Sequence, residues 1–171
     1  LIVVVMGVSG SGKTTIGKRL AARIGCEFAD ADDFHSADNK AKMRSGTPLN
    51  DEDRLPWLQE LNKVISAHSL TKTSLVLACS ALKQTYRSIL AKDAGADVVF
   101  VYLKVDFQTL QKRLARRRHK FMNPKLLGSQ FETLEEPDDA ITVDSTQTVS
   151  ETVQDIMDAL DNKKTAPQVV P

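Results

Sequence analysis

Gly7-Val8-Ser9-Gly10-Ser11-Gly12-Lys13-Thr14 satisfies the pattern G-x-x-x-x-G-K-[ST] at every fixed position. The chemistry of that spacing is phosphate binding. Glycines let the backbone curl so that its N–H groups surround a β-phosphate, Lys13 reaches the β and γ oxygens, and the Thr14 hydroxyl can coordinate Mg²⁺. Val8, Ser9, Ser11 and Thr15 complete the stretch expected to face a nucleoside triphosphate, ATP in this reading. A second chemical group follows at Asp30-Ala31-Asp32-Asp33-Phe34-His35. Strand alternation sends Asp30 and Asp32 to one side, at the end of a strand expected beside the phosphate loop. There one carboxylate, Asp30, can hold Mg²⁺ with Thr14, while Asp32 orients an acceptor hydroxyl and takes its proton. Asp33 reads equally as a helix cap, and His35 either hydrogen-bonds a substrate hydroxyl or fixes the loop.

These residues need a frame. Leu1 to Met6 is a continuous apolar run, read as a buried parallel strand, and Ile16, Leu20 and Ile24 recur every four positions as on a helix ending near Gly25. A strand, a glycine loop and a helix N-terminus together make an anion site. Cys26 to Asp30 reads as a second strand, and the polar stretch from there to Asp53 as turn-rich and substrate-facing. Asp53 is expected to cap a helix with Pro56 in its first turn and Leu55, Leu58, Leu61 and Ile65 on its buried stripe. Further strands are expected at Leu75–Cys79, Val98–Leu103 and Ala140–Val143. Helices are expected around Leu82–Leu90, after Asp106 with Phe107, Leu110 and Leu114 inward, after Asn123-Pro124, and after a Thr148/Glu151 capping box. Strict alternation of strand and helix predicts an α/β fold, a five-stranded parallel sheet with helices on both faces and ligands at the carboxyl ends of the strands.

The 171 residues suit one domain. Residues 1–161 are expected to form it, with a lid segment near 113–135, and 162–171 to be a disordered tail. A net charge of +1 gives no global pull toward nucleic acid or membrane. No run of about 18 apolar residues and no basic-then-apolar leader is present, and the absence of an initial Met suggests that a few residues precede Leu1. Cys26 and Cys79 lack metal-ligand spacing and read as free thiols in a reducing cytoplasm. The basic run Lys112-Arg113-Arg116-Arg117-Arg118-His119-Lys120 has three readings: a solvated helix face, a nucleic-acid patch, or a lid. The lid is favoured, because Arg113 and Arg117 project together at i,i+4 and an arginine there can neutralise charge on a transferred phosphoryl group. No aromatic residues interleave with the cations, which argues against nucleic acid. Asn39-Lys40-Ala41-Lys42 lacks the aspartate of a guanine-reading Asn-Lys-x-Asp, and the small size with the acidic cluster favours a small-molecule kinase.

Several blocks carry a resemblance to a known family. The phosphate loop, Asp30 to His35, Asn39 with Lys42-Met43, Gly46-Thr47-Pro48-Leu49-Asn50-Asp51-Glu52-Asp53-Arg54-Leu55-Pro56-Trp57-Leu58, Cys79-Ser80-Ala81-Leu82-Lys83 with Tyr86-Arg87, and Ser129-Gln130-Phe131-Glu132-Thr133-Leu134-Glu135 together resemble the gluconokinase family over nearly the whole chain. The resemblance implies ATP:D-gluconate 6-phosphotransferase activity, a fold like the shikimate and nucleoside monophosphate kinases, and a homodimer. Gluconate is a polyhydroxy carboxylate, so its site needs a cation. Arg54, Lys83 and Arg87 can supply it, although each also reads as a solvated surface cation. Trp57 reads as core packing rather than a sugar platform. A shikimate-type acceptor is disfavoured by Cys79-Ser80-Ala81-Leu82, where a glycine-rich segment is expected. A pure ATP-binding regulatory module is disfavoured by the acidic loop.

Overall fold

The computed structural model describes residues 1–116 and 124–165. Its elements alternate as expected: β1 Ile2–Met6, α1 Lys13–Ile24, β2 Glu27–Asp30, a 3-10 turn Ala31–Phe34, α2 Ala37–Arg44, α3 Asp51–Leu70, β3 Leu75–Ala78 and α4 Gln84–Ala91. A 3-10 turn Gly95–Asp97, β4 Val98–Lys104, α5 Phe107–Arg116, α6 Pro124–Thr133, β5 Ile141–Asp144 and α7 Val149–Thr165 complete them. The five strands pair in parallel in the order β2-β3-β1-β4-β5.

Alternation along β1 divides the core. Ile2, Val4 and Met6 face Trp57, Leu58, Leu61, Ile65 and Leu90 of α3 and α4. Val3 and Val5 face Ile16 and Leu20 of α1 and Val153, Ile156 and Leu160 of α7. A helix layer therefore covers each face of the sheet, as a parallel sheet requires. A third, smaller cluster of Val8, Leu82, Val105, Leu110 and Leu127 lies under the phosphate loop. That loop leaves β1 at the carboxyl edge of the sheet, where β3 and β4 flank β1 on opposite sides.

Local departures from the sequence reading have local causes. β2 is not beside β1, because β3 lies between them. Asp32 belongs to a 3-10 turn rather than a strand, so strand alternation does not set its direction. The polar stretch contains a full helix, α2, whose N-cap Ser36 accepts from the Asn39 amide, and Asn39-Lys40-Ala41-Lys42 lies in that helix rather than in a loop. The cap of α3 is Asn50, and Asp53 is its N3 partner in a reciprocal capping box. Leu55 and Phe107 are 44% and 38% exposed, and the buried stripe of α3 starts at Trp57. Helix α7 runs to Thr165, so residues 162–165 are helical rather than frayed. Cys26 and Cys79 are free, the first half-buried and the second buried. Among the described residues no helix is long and apolar enough to cross a membrane.

Candidate active site

The phosphate loop is built by backbone conformation. Gly10 and Gly12 have φ of 82° and 103°, a region L side chains rarely adopt, and Gly12 is the N-cap of α1. Val8 anchors the loop: its side chain is buried, and its carbonyl accepts from Ser11 N at 3.2 Å and from Lys13 Nζ at 3.0 Å. Gly7 N donates to Ser80 O at 3.2 Å, tying the loop to the end of β3. Ser11 Oγ is buried without a hydrogen-bond partner. Burial holds the Lys13 ammonium below the ordinary lysine range against the attraction of Asp32. An under-compensated cation and an orphaned hydroxyl in one glycine loop are what a phosphate would satisfy. Thr14 and Thr15 stand exposed on the first turn of α1.

The acidic loop meets this site although its strand is not adjacent. Thr14 Oγ1 donates to Asp30 Oδ2 at 2.7 Å, and Asp30 Oδ1 accepts from Asp32 N at 3.1 Å. Asp30 thus fixes the turn that presents Asp32. The Asp32 residue is open to solvent on one side, yet enough protein surrounds its carboxyl for desolvation to push it above the usual carboxylate range. Asp30 and Asp33 push it the same way, and Lys13 opposes. Asp33 belongs to the first turn of the 3-10 segment, and its carbonyl accepts from Lys40 Nζ at 3.1 Å.

His35 closes the loop. Its ring stacks on Trp57 with centroids 4.2 Å apart and planes 14° apart, and Trp57 Nε1 donates to Ala31 O at 2.7 Å. Trp57 is a core residue, as expected. His35 Nδ1 is buried without a partner, and burial, with Arg54 and Lys40 nearby, lowers the imidazole to about 4. The stacking on Trp57 ties His35 to the loop, and its burial disfavours the charged imidazolium.

Leu49, Asn50, Asp51, Glu52, Arg54, Lys83 and Thr133 line an open cleft of about 510 Å³. Lys83 Nζ donates to both Asp51 oxygens at 2.8 Å, Tyr86 Oη donates to the same carboxylate, and Arg54 Nη1 reaches Leu49 O at 2.5 Å and Tyr86 Oη at 3.3 Å. The bond to Lys83, with that to Tyr86, holds Asp51 below the usual range, and Asp51 in turn raises Lys83. Arg54 and Lys83 therefore share one cleft through Tyr86.

Arg87 does not join them. It is 3% exposed, and its guanidinium donates to the carbonyls of Ala81, Leu82 and Glu135 and to Gln84 Oε1. Ala81 has φ of 44°, unusual without a glycine, and Arg87 clamps that turn. In this arrangement its guanidinium holds the β3–α4 junction and faces backbone carbonyls rather than the cleft. Arg113 is likewise engaged away from the phosphate loop, donating to Ser145 O after β5. Arg117 lies outside the described residues. One contact had no forewarning beyond its sequence block: Ser9 N donates to Gln130 Oε1 of α6 at 2.6 Å, across 121 residues. Five residues on, Glu135 N donates to Leu82 O at 2.9 Å, and Glu135 Oε2 accepts from Gln84 N at 2.6 Å.

Comparison with known proteins identifies the branch. A family profile described as shikimate kinase matches residues 9–161. A probable gluconokinase of Dictyostelium discoideum is 44% identical, the match covering 94% of this chain and 86% of that protein. The chain belongs to the gluconokinase family. The thermoresistant gluconokinase of Escherichia coli is 40% identical with 95% of each chain covered. The crystal structure of a gluconokinase from Sinorhizobium meliloti superposes with a TM-score of 0.87 at 36% identity, covering 94% of this chain and 91% of that one. The profile spans the core shared by small P-loop kinases, and the relatives place the chain on the gluconokinase branch of it.

A gluconokinase-family kinase implies a divalent cation, and the donor set fits one of a particular kind. Among the described residues no group of three or more His, Cys, Asp or Glu side chains could hold a metal. Thr14 Oγ1 and Asp30 Oδ2 instead offer two hard oxygens 2.7 Å apart at the N-terminus of α1. That is the sparse protein contribution suited to Mg²⁺, which keeps waters and takes its remaining ligands from phosphates.

Proposed function

We propose that the protein transfers the γ-phosphoryl group of ATP to the 6-hydroxyl of D-gluconate, giving 6-phospho-D-gluconate and ADP. The observation that carries the reading is the position of the acidic loop between two charged sites. Asp32 feels the Lys13 ammonium on one side, and His35, three residues on, feels Arg54 of the cleft on the other. The loop amides and Lys13 hold the donor phosphates. Mg²⁺, held by Thr14 and Asp30, would neutralise charge on the β and γ oxygens.

Arg54 and Lys83 bind the carboxylate of the sugar acid, in a cleft of the size small ligands use. Lys83 must then exchange or share Asp51, so a neutral sugar, lacking the anion, competes poorly with the existing pair. The 6-hydroxyl oxygen attacks phosphorus in line, the bond to the bridging oxygen of ADP breaks, and the hydroxyl proton passes to the Asp32 carboxylate. The raised affinity of Asp32 for a proton brings it nearer the working pH than an ordinary aspartate. The same family reading makes the segment near 113–135 the cover over the triphosphate, with Arg117 as the countercharge. It also makes the enzyme a cytoplasmic homodimer.

ADP release, coupled to a spectrophotometric readout, tests the proposal with a panel of D-gluconate, D-glucose, shikimate and nucleoside monophosphates. Turnover confined to gluconate is expected. A preference for shikimate or a nucleotide, or no turnover with any acceptor, overturns it.

A further inference from the structure

Lys83 stands immediately before α4, and the residues on either side of it are both held by Glu135. Glu135 N donates to Leu82 O at 2.9 Å, and Glu135 Oε2 accepts from Gln84 N at 2.6 Å. Lys83 is the N-cap of α4, yet its own side chain caps nothing. A helix start leaves orphan N–H groups, and a lysine has no acceptor with which to satisfy one. The carboxylate of Glu135 takes that place from 51 residues away, and its negative charge suits the positive end of the helix. The lysine side chain leaves the helix end instead, and its Nζ reaches both oxygens of Asp51 in the cleft. Tyr86 N and Arg87 N close the first turn on Lys83 O at 3.1 and 3.2 Å, and Arg87 Nη1 donates to the carbonyls of both Leu82 and Glu135. Thr133, the last residue of α6, lines the same cleft.

We propose that Glu135 is a positioning residue for the acceptor: by capping α4 it fixes the backbone from which Lys83 reaches into the cleft, and so sets the affinity for the sugar-acid carboxylate. The proposal rests on the reading of Lys83 as a cation that binds that carboxylate. The backbone bond to Leu82 survives any side-chain change at position 135, so loss of the carboxylate frees only the Gln84 side of the seam. Lys83 then keeps its charge but loses its fixed base, and more of its freedom must be frozen when the acceptor binds. None of these bonds involves the phosphate loop, so the donor is expected to bind as before.

Steady-state kinetics of the full chain with D-gluconate and MgATP test this in a cycle of Glu135→Ala, Lys83→Met and the double variant. Glu135→Ala is expected to raise KM for gluconate about fivefold, with KM for ATP and kcat within about twofold of the unaltered enzyme. Glu135→Gln keeps an oxygen for Gln84 N without the charge and is expected to fall between the two. Should Glu135→Ala not fold, Glu135→Gln serves in the same cycle, with an expected rise of about threefold. Lys83→Met is expected to raise KM for gluconate about tenfold, and adding Glu135→Ala to it then to change KM by less than about twofold. An unchanged KM for gluconate in Glu135→Ala overturns the proposal, as does a fall in kcat or a rise in both KM values together, which a merely structural role would give. An undiminished effect of Glu135→Ala in the Lys83→Met background also overturns it, while leaving Lys83 as the carboxylate ligand. If Lys83→Met leaves KM for gluconate unchanged, the reading of Lys83 fails, and the proposal with it. No turnover of gluconate by the unaltered protein removes the proposed function and this proposal together.

Discussion

Asp32 carries a carboxylate that its own surroundings disfavour, which suits the base role proposed for it. Desolvation and two neighbouring carboxylates raise it, while Lys13 and, less strongly, Lys40 draw it back. A carboxyl raised on folding binds more protons in the native than in the unfolded chain, so native stability falls as pH rises through that window. Asp32→Asn removes the penalty along with the base. Turnover is expected to drop by about a hundredfold or more, with ATP affinity within threefold. The melting temperature is expected to rise at pH 8, with little change near pH 4. Coupled ADP release and thermal melts at both pH values check it; a variant less stable at pH 8 would contradict the sign. Thr14, Asp30 and Asp32 were legible in the chain because their partners are set by a motif and a short turn. Arg87 and Gln130 were not, because each is defined by what packs opposite it from tens of residues away. The charge of Arg87 was visible in the sequence; the three carbonyls it clamps were not.

Elements were legible where periodicity was long and failed where it was short or polar. Helix α2 has one buried residue, Asn39, whose Nδ2 donates to Asp53 O at 2.8 Å. A helix held by a polar contact leaves no apolar stripe to read. The start of α3 was displaced because Asn50 and Asp53 are both good caps, and only the reciprocal bonds choose between them. Packing of α1 on β2 turns on Gly17. A Cβ there would lie 2.7 Å from Phe28 Cε2 and 3.6 Å from Val76 Cγ1. Gly17→Ala gains about 1 kcal/mol of helix propensity but loses about 1–3 kcal/mol to overpacking. A net destabilisation of about 1 kcal/mol is expected in urea titrations. In a Phe28→Leu background the ring edge is gone, and the same substitution is expected to stabilise.

Across the whole molecule, the order β2-β3-β1-β4-β5 brings the donor loop, the acidic turn and the cation cleft to one side of a single sheet. The sequence supplied the number and direction of the strands; their order depends on which helix covers which face, and the misplacement of β2 beside β1 shows that limit. The site also couples to global stability through His35. Burial lowers its imidazole from the ordinary histidine value of 6.5 to about 4 on folding, so the unfolded chain takes up the proton first. Stability is complete above 6.5 and is lost as pH falls toward 4, by up to about 3 kcal/mol. Asp32 acts in the opposite direction, so the comparison must isolate the histidine. Urea unfolding at pH 7.5 and 5 is expected to show a smaller pH dependence in His35→Phe than in the unaltered protein; equal dependence would contradict it.

Trp57 is the chain's one tryptophan. Its indole lies against His35 and donates to the carbonyl of Ala31, the residue before Asp32. The intrinsic tryptophan fluorescence of the protein therefore comes from a single address, built into the wall behind the Asp32 turn. A change of emission on adding sugar acid reports movement of that turn without any label, and protonation of the stacked imidazole registers there as quenching.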